Sequence, residues 1–174
     1  MATADRIERR VSTREPERAL PPSFVLYRAT IRGITGGLIA TAIMTLYRLP
    51  IFSALPPTAE FWARFVGGGE PERYPLHGLV LHFLYGAVAG GVFGTLFAIV
   101  DRQTYLDRER LGLLSGLAYG LVLSAVGHRI IFRYLLDREL ADDEALVFHV
   151  GHAIYGLTLG TWFGTHERFG DVYD

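Results

Sequence analysis

Histidines are the residues here whose type and spacing could do chemistry, and two of them occupy equivalent places in a repeated segment. Residues 82–95 and 152–165 share the pattern His-x-x-Tyr-Gly-x-x-x-Gly-x-x-Phe-Gly-Thr, seventy positions apart. Over residues 76–95 and 146–165, nine of twenty positions are identical, whereas unrelated segments would agree at roughly one or two. We therefore interpret the two segments as copies of an internal repeat.

Further ionisable and hydroxyl-bearing residues fall near the same ends of long apolar stretches. Such side chains are costly inside a membrane and by default indicate a functional site. His149 and His152 are three residues apart and share one helix face. The candidate polar cluster contains His82, His152, His128, Arg48, His149, His77, Tyr85 and Tyr155.

Three interpretations of this cluster remain open. In the first, His82 and His152 are neutral and hydrogen-bond between helices, to Tyr85, Tyr155 or a threonine, so that they fix the packing register. In the second, the same two histidines ligate a haem, or a metal ion such as copper or zinc. In the third, a proton relay or anion trap is formed by Arg48, His82, His128 and His152.

Composition removes several kinds of catalysis. The chain has no cysteine, and all seventeen basic residues are arginine, which excludes thiolate, Schiff-base and Walker-type phosphate chemistry. Ser115 and Ser124 lie in an apolar stretch without an acidic residue to orient a histidine, so a hydrolase is disfavoured. A net charge of −1 and no basic stripe argue against nucleic acid. We assign no catalytic residue and favour a protein that is not an enzyme.

The elements that must position these residues are membrane spans. Half of the residues are hydrophobic and a fifth are charged, and the charges stand in blocks between apolar runs of spanning length. The sequence predicts an all-α, four-helix transmembrane bundle over residues 29–165. Its spans are predicted at about 29–49, 76–100, 111–128 and 145–165, and it remains open whether 129–136 continue the third.

Flanking segments complete the predicted organisation. Residues 1–28 are predicted to be a flexible Arg-rich tail, residues 166–174 a polar C-terminal tail, and residues 58–66 an amphipathic helix lying at the membrane surface. Eleven arginines lie on the side of the termini and six on the other, which predicts cytoplasmic termini in a multi-pass cell-membrane protein. Two tandem hairpins would then form a parallel internal repeat.

Small residues recur every four positions in each span. In lipid, close van der Waals packing must replace the hydrophobic drive, and glycine permits backbones to approach. We expect a tight bundle without a wide aqueous pore, and an oligomer or larger membrane complex assembled through glycine faces. The expected packing glycines are Gly86, Gly90, Gly94, Gly156, Gly160, Gly164, Gly112, Gly116 and Gly120.

The chain resembles an uncharacterised family of small four-span membrane proteins of haloarchaea and bacteria. The resemblance is carried by Gly151-His152-x-x-Tyr155-Gly156-x-x-x-Gly160 in the last span, and by Gly36-Gly37-x-x-Ala40-Thr41-x-x-Met44-Thr45 in the first. It covers roughly residues 30–165, and basicity carried by arginine alone fits a GC-rich haloarchaeal source. It implies an integral membrane protein and no particular activity. A structural or accessory membrane subunit is the favoured function, with a small proton or anion transporter and a His-ligated haem or metal protein as alternatives.

Overall fold

A computed structural model describes residues 21–51, 57–101 and 106–165, and the described chain is all-α. Helix α1 is Pro22–Arg48, α2 is Pro57–Trp62, α3 is Pro75–Asp101, α4 is Arg108–Val126 and α5 is Asp142–Gly164. Two of these continue as π-helix, α2 through Ala63–Gly67 and α4 through Gly127–Leu135. Most of the predicted N-terminal tail and the whole predicted C-terminal tail lie outside the described residues, and residues 22–28 belong to α1.

Local sequence explains where these helices begin. Helices α1, α2 and α3 each start at a proline, whose fixed φ and missing N–H suit the first helical position. Helix α4 begins after Asp107, whose carboxylate accepts from the backbone N–H of Arg110. Three acidic residues occupy the first turn of α5 and complement its dipole. The open question about residues 129–136 is answered, because helical structure after α4 runs to Leu135.

The four long helices pack as two hairpins. The most extensive contacts join α1 to α3 and α4 to α5, and a smaller interface between α1 and α5 joins the two pairs. Helices α3 and α4 touch only slightly, and α3 and α5, which carry the repeated segments, barely meet. The bundle therefore has one loose seam, between α3 and α4.

Glycines form the centre of each hairpin interface. A Cβ at Gly90 would fall on the carbonyl oxygen of Gly33, and one at Gly116 on that of Gly156. These close approaches are possible only because no side chain intervenes. All nine glycines expected to mediate packing are buried within the chain. They leave no exposed glycine face for a second copy, so an oligomer would have to use other surfaces.

Large apolar side chains cover the outside of the bundle. On α3 they recur every four residues and are between 49% and 71% exposed, at Leu76, Val80, Leu84, Val88, Val92 and Leu96. A continuous apolar surface of this kind indicates contact with lipid. Three helices of the described chain are long and apolar enough to cross a membrane, namely α1, α3 and α4 with its π-helical continuation. Helix α5 is not among them, and it carries two histidines and an acidic first turn.

The core between the hairpins is aromatic. Phe163 of α5 is fully buried, and its ring lies 5.6 Å from Phe93 and 5.2 Å from Phe97 of α3, centroid to centroid. Tyr119 of α4 stacks on Phe93 and donates a hydrogen bond to the carbonyl of Ala89. Rings from three helices therefore fill the space on the side away from α2.

Candidate functional site: a cavity beneath α2

Helix α2 packs across one end of the bundle, where α1 and α4 end and α3 and α5 begin. Phe61 packs on a buried cluster of Phe132, Leu136 and Phe148. Arg64 donates a hydrogen bond to the carbonyl of Leu136. The amphipathic segment thus contacts the second hairpin in addition to α3 of the first, against which Thr58 and Ala59 pack at Gly78.

One arginine holds this arrangement together electrostatically. Arg138, in the loop before α5, pairs with Glu60 of α2 at 2.9 Å and with Glu144 of α5 at 3.0 Å. Partial burial opposes its charge, but the hydrogen bonds and charges of the two carboxylates outweigh burial and raise the pKa of Arg138. The guanidinium therefore remains a permanent cation linking α2 to α5.

Beneath α2 lies a cavity of about 220 Å³, here called the Arg48 cavity. Every long helix contributes to its wall, and α4 does so through its π-helical continuation. Most of the wall is apolar, and its charged or ionisable residues are Arg48, His82 and His152. The lining consists of Met44, Arg48, Pro57, Thr58, Phe61, Leu81, His82, Tyr85, Gly127, Ile131, Phe132, Phe148 and His152.

The two repeated histidines meet at this cavity from different helices. His152 is buried, and its Nδ1 donates to the carbonyl of Phe148 at 2.9 Å. In the neutral ring this leaves Nε2 of His152 as an acceptor. His82 is also buried, and no hydrogen bond to its ring is found within the described ranges. A second cavity of about 10 Å³, the size of one water molecule, adjoins both rings.

Tyrosine hydrogen bonds differ from those expected. Tyr155 donates to the backbone carbonyl of Gly86 at 2.7 Å, so it joins α5 to α3 instead of bonding a histidine. Tyr85 lines both cavities and is 40% exposed on the side of α3. The expected pairing of His152 with a tyrosine or threonine is replaced by the bond to the Phe148 carbonyl.

Arg48 turns into the cavity although it is the last residue of α1. Its side chain is half-buried, and no carboxylate within the described part of the chain lies at ion-pair distance from it. The carboxylate of Glu144 is bonded to Arg138, and residues 52–56, which follow α1, contain no acidic residue. Glu144 therefore acts on Arg48 only through space while it pairs with Arg138. A guanidinium that faces an apolar cavity and has no direct ion pair favours an anion there.

The remaining histidines form separate groups. His149 bonds Ser124 at 2.6 Å through Nδ1, and its Nε2 lies 3.3 Å from Nδ1 of His128. His77 stacks on Trp62 of the α2 segment, with ring centroids 4.9 Å apart. The candidate cluster therefore divides into the Arg48 cavity, a Ser124–His149–His128 chain and a surface stack.

This geometry suits binding better than catalysis. Ser124 is 1% exposed, so the serine bonded to His149 cannot reach a substrate. No group of three or more metal-ligating side chains occurs within the described residues. The cavity is also below the roughly 300 Å³ at which drug-sized ligands are usually held, so a haem macrocycle does not fit between His82 and His152 as the helices stand.

Sequence reasoning missed several lining residues. Residues 58–66 were expected to lie at the membrane surface, and the structure adds that Pro57, Thr58 and Phe61 form the roof of the cavity. Phe148 was interpreted only as a residue of the fourth span, and Phe132 as part of the segment 129–136 whose place was left open. The aromatic spacing of α2 was visible in the sequence, but nothing in it identified the contacts of α2 with the second hairpin.

Comparison with known proteins identifies a family for this chain but no activity. Residues 27–170 match a family described as a family of unknown function, DUF6789. The chain belongs to the DUF6789 family. No curated protein and no solved structure matches this DUF6789 chain. The family match covers α3, α4 and α5 and all of α1 except its first five residues. Because the family has no described activity, a functional assignment rests on the residues of the site.

Proposed function

We propose that this DUF6789 protein is a four-span cell-membrane protein that binds a small ligand carrying an anionic group, without covalent chemistry. The proposal places both termini in the cytoplasm and the Arg48 cavity in the outer half of the bilayer. Its span count rests on α5, whose length of 23 residues suffices to cross the roughly 30 Å hydrocarbon layer at 1.5 Å per residue. Helix α5 carries histidines, but His152 is buried inside the bundle and therefore does not face lipid.

Single-cysteine labelling tests this topology, since the chain has no cysteine of its own. In intact cells we expect Glu139→Cys to react with a membrane-impermeant maleimide. Leu106→Cys and Asp174→Cys should react only after permeabilisation. External labelling of both Glu139→Cys and Asp174→Cys would mean that α5 does not cross the membrane, and the four-span arrangement would be wrong. External labelling of Asp174→Cys with Glu139→Cys protected would mean that the orientation is reversed.

The binding function is supported mainly by the position of Arg48, whose side chain lines the apolar cavity. A buried or half-buried guanidinium is stabilised by a bidentate oxyanion, and truncating one member of such a pair costs about 2–5 kcal/mol. His82 and His152 offer additional hydrogen bonds to the same group from the cavity wall. This preserves the anion-trap hypothesis at Arg48, His82 and His152 and leaves His128 outside it.

Protection of a cysteine in the cavity wall measures this binding. In Ile131→Cys protein in nanodiscs, butyrate, decanoate or inorganic phosphate at constant ionic strength should slow thiol modification in a saturable way. Arg48→Gln should weaken that protection at least tenfold. Arg129→Gln serves as the matched control. Arg129 is an exposed arginine in the continuation of α4, at the same end of the bundle as the cavity, and it is absent from the cavity wall. If no anion protects in an Arg48-dependent way, the proposed function fails and a purely structural subunit is left.

A further inference from the structure

We infer that the ligand of the Arg48 cavity is a single-chain amphiphile with a carboxylate head, admitted sideways from the bilayer through the α3–α4 seam. This inference rests on the proposed function and specifies its ligand class. It follows from three features of the cavity: one cation, an apolar remainder and an opening toward lipid.

The head group is specified by the charge balance of the wall. Arg48 is the only permanent cation that lines the described cavity, and no carboxylate lines it. One guanidinium matches the fork geometry of one carboxylate. A zwitterionic head would bring a cation for which the lining offers no anionic partner, and a dianionic head would leave one charge uncompensated.

The apolar residues of the lining specify the hydrocarbon chain of the ligand. Met44, Leu81 and Phe61 come from three different elements, and Phe132 and Phe148 close the side toward α5. A free inorganic anion would leave this surface facing water, which apolar side chains disfavour. An acyl chain replaces that water with van der Waals contacts. The volume of about 220 Å³ holds the head and first part of a chain, so the remainder must extend outward.

The path outward follows the loose seam. Tyr85 of α3 and Ile131 of the α4 continuation both line the cavity and stand on the two sides of the seam. Helices α3 and α4 make slight contact, and the hydrogen bond from Tyr119 to the carbonyl of Ala89 joins them about one turn beyond Tyr85. Both hairpin interfaces, in contrast, are closed by glycine backbones. The exposed ring of Tyr85 belongs simultaneously to the cavity wall and to the outer surface of α3. A chain leaving the cavity at Tyr85 would therefore enter the acyl layer of the proposed bilayer.

Helix α2 closes the remaining side. Pro57, Thr58 and Phe61 cover the cavity, and Arg138 ties this roof to α5 through Glu60 and Glu144. Thr58 also donates a hydrogen bond to the carbonyl of Gly78 in α3. The roof is thus attached to both sides of the seam, which makes the flank of the bundle the easier route.

Photocross-linking tests the ligand class in the full-length protein. A ten-carbon carboxylate with a diazirine near the end of its chain is incorporated into nanodiscs containing the protein. We expect cross-links at residues along the cavity and seam, such as Leu81, Tyr85 and Ile131, and at least a tenfold loss of labelling in Arg48→Gln with Arg129→Gln unchanged. Decanoate should compete, whereas decanol and decyltrimethylammonium at the same membrane mole fraction should not.

Competition by butyrate separates this inference from the proposed function. Decanoate should compete at a total concentration at least tenfold below butyrate, because butyrate hardly enters the bilayer. If butyrate or phosphate competes as well as decanoate and Arg48 is still required, the anion-binding function stands and lateral admission of an amphiphile is wrong. If Arg48→Gln is labelled as strongly as the unsubstituted protein, and decanol competes as well as decanoate, the carboxylate assignment is overturned. Circular dichroism and size-exclusion profiles of Arg48→Gln show whether its loss of labelling reflects a folded protein.

Discussion

Replacing Gly116 by alanine is expected to lower the free energy of unfolding by about 3 kcal/mol, at the upper end of the usual cost of overpacking. The added Cβ would meet the carbonyl oxygen of Gly156 and the backbone of Gly160. Backbone atoms in a helix cannot rotate away, so α4 and α5 would have to separate. That separation also loosens the neighbouring contact of Gly112 with Gly160. In a protein of this size the melting temperature should fall by about 6–12 °C in detergent.

Gly151→Ala is the matched control on α5. Its added Cβ would meet side chains only, the terminal methyl group of Met44 at 3.3 Å and the ring of Tyr47 at 4.0 Å. Methionine has several rotatable bonds and can move aside, so the melting temperature should change by no more than about 2 °C. Equal losses for Gly116→Ala and Gly151→Ala would show that helix propensity or insertion, and not backbone contact, controls stability.

Phe163→Ala is expected to cost about 2–3 kcal/mol. Its ring is fully buried among Phe93 and Phe97 of α3, and truncation leaves a cavity that rigid helices cannot collapse. In a membrane the transfer contribution is small, because lipid is as apolar as the protein interior, but the lost van der Waals contacts remain. The measurement is reversible unfolding in mixed micelles of increasing SDS content.

Leu157→Ala provides the comparison for this substitution. Leu157 lies on the same helix and is 38% exposed, so lipid or detergent fills the space that its side chain leaves. Its cost should stay below about 0.5 kcal/mol. A cost of Phe163→Ala no larger than that would mean that the aromatic core contributes little to the association of the hairpins.

The all-α fold was predictable from the sequence, whereas the fourth span, α5, stays a prediction. In lipid, span length and glycine spacing are both local patterns, and the glycines expected to pack, such as Gly90 and Gly116, are indeed buried against backbone. The continuation of α4 to Leu135 was ambiguous because Arg129 and Arg133 interrupt its apolar run. Its π-helical geometry is not encoded in any periodicity that the residues display.

The structure brings some of the candidate site residues together, but their grouping and most of the apolar lining do not follow from the sequence. Histidines at equivalent positions of α3 and α5 were expected to approach each other, and His82 and His152 do line one cavity. The separation of His149 and His128 into their own chain depends on Ser124, a contact across 25 positions. The roof depends on Arg138 reaching Glu60 across 78 positions. Such pairings follow from the arrangement of the hairpins, which single residues do not reveal.

Direct backbone contact inside each hairpin also restricts how the molecule can move. Helices that pack glycine against glycine cannot slide past one another, because their carbonyl groups would collide. The pair α1 and α3, and the pair α4 and α5, should therefore each move as one rigid unit. The two hairpins meet through the smaller α1–α5 interface, which lies opposite the loose seam between α3 and α4. Any opening of the bundle would then be a rotation about the α1–α5 interface that separates α3 from α4 and breaks the hydrogen bond between Tyr119 and Ala89.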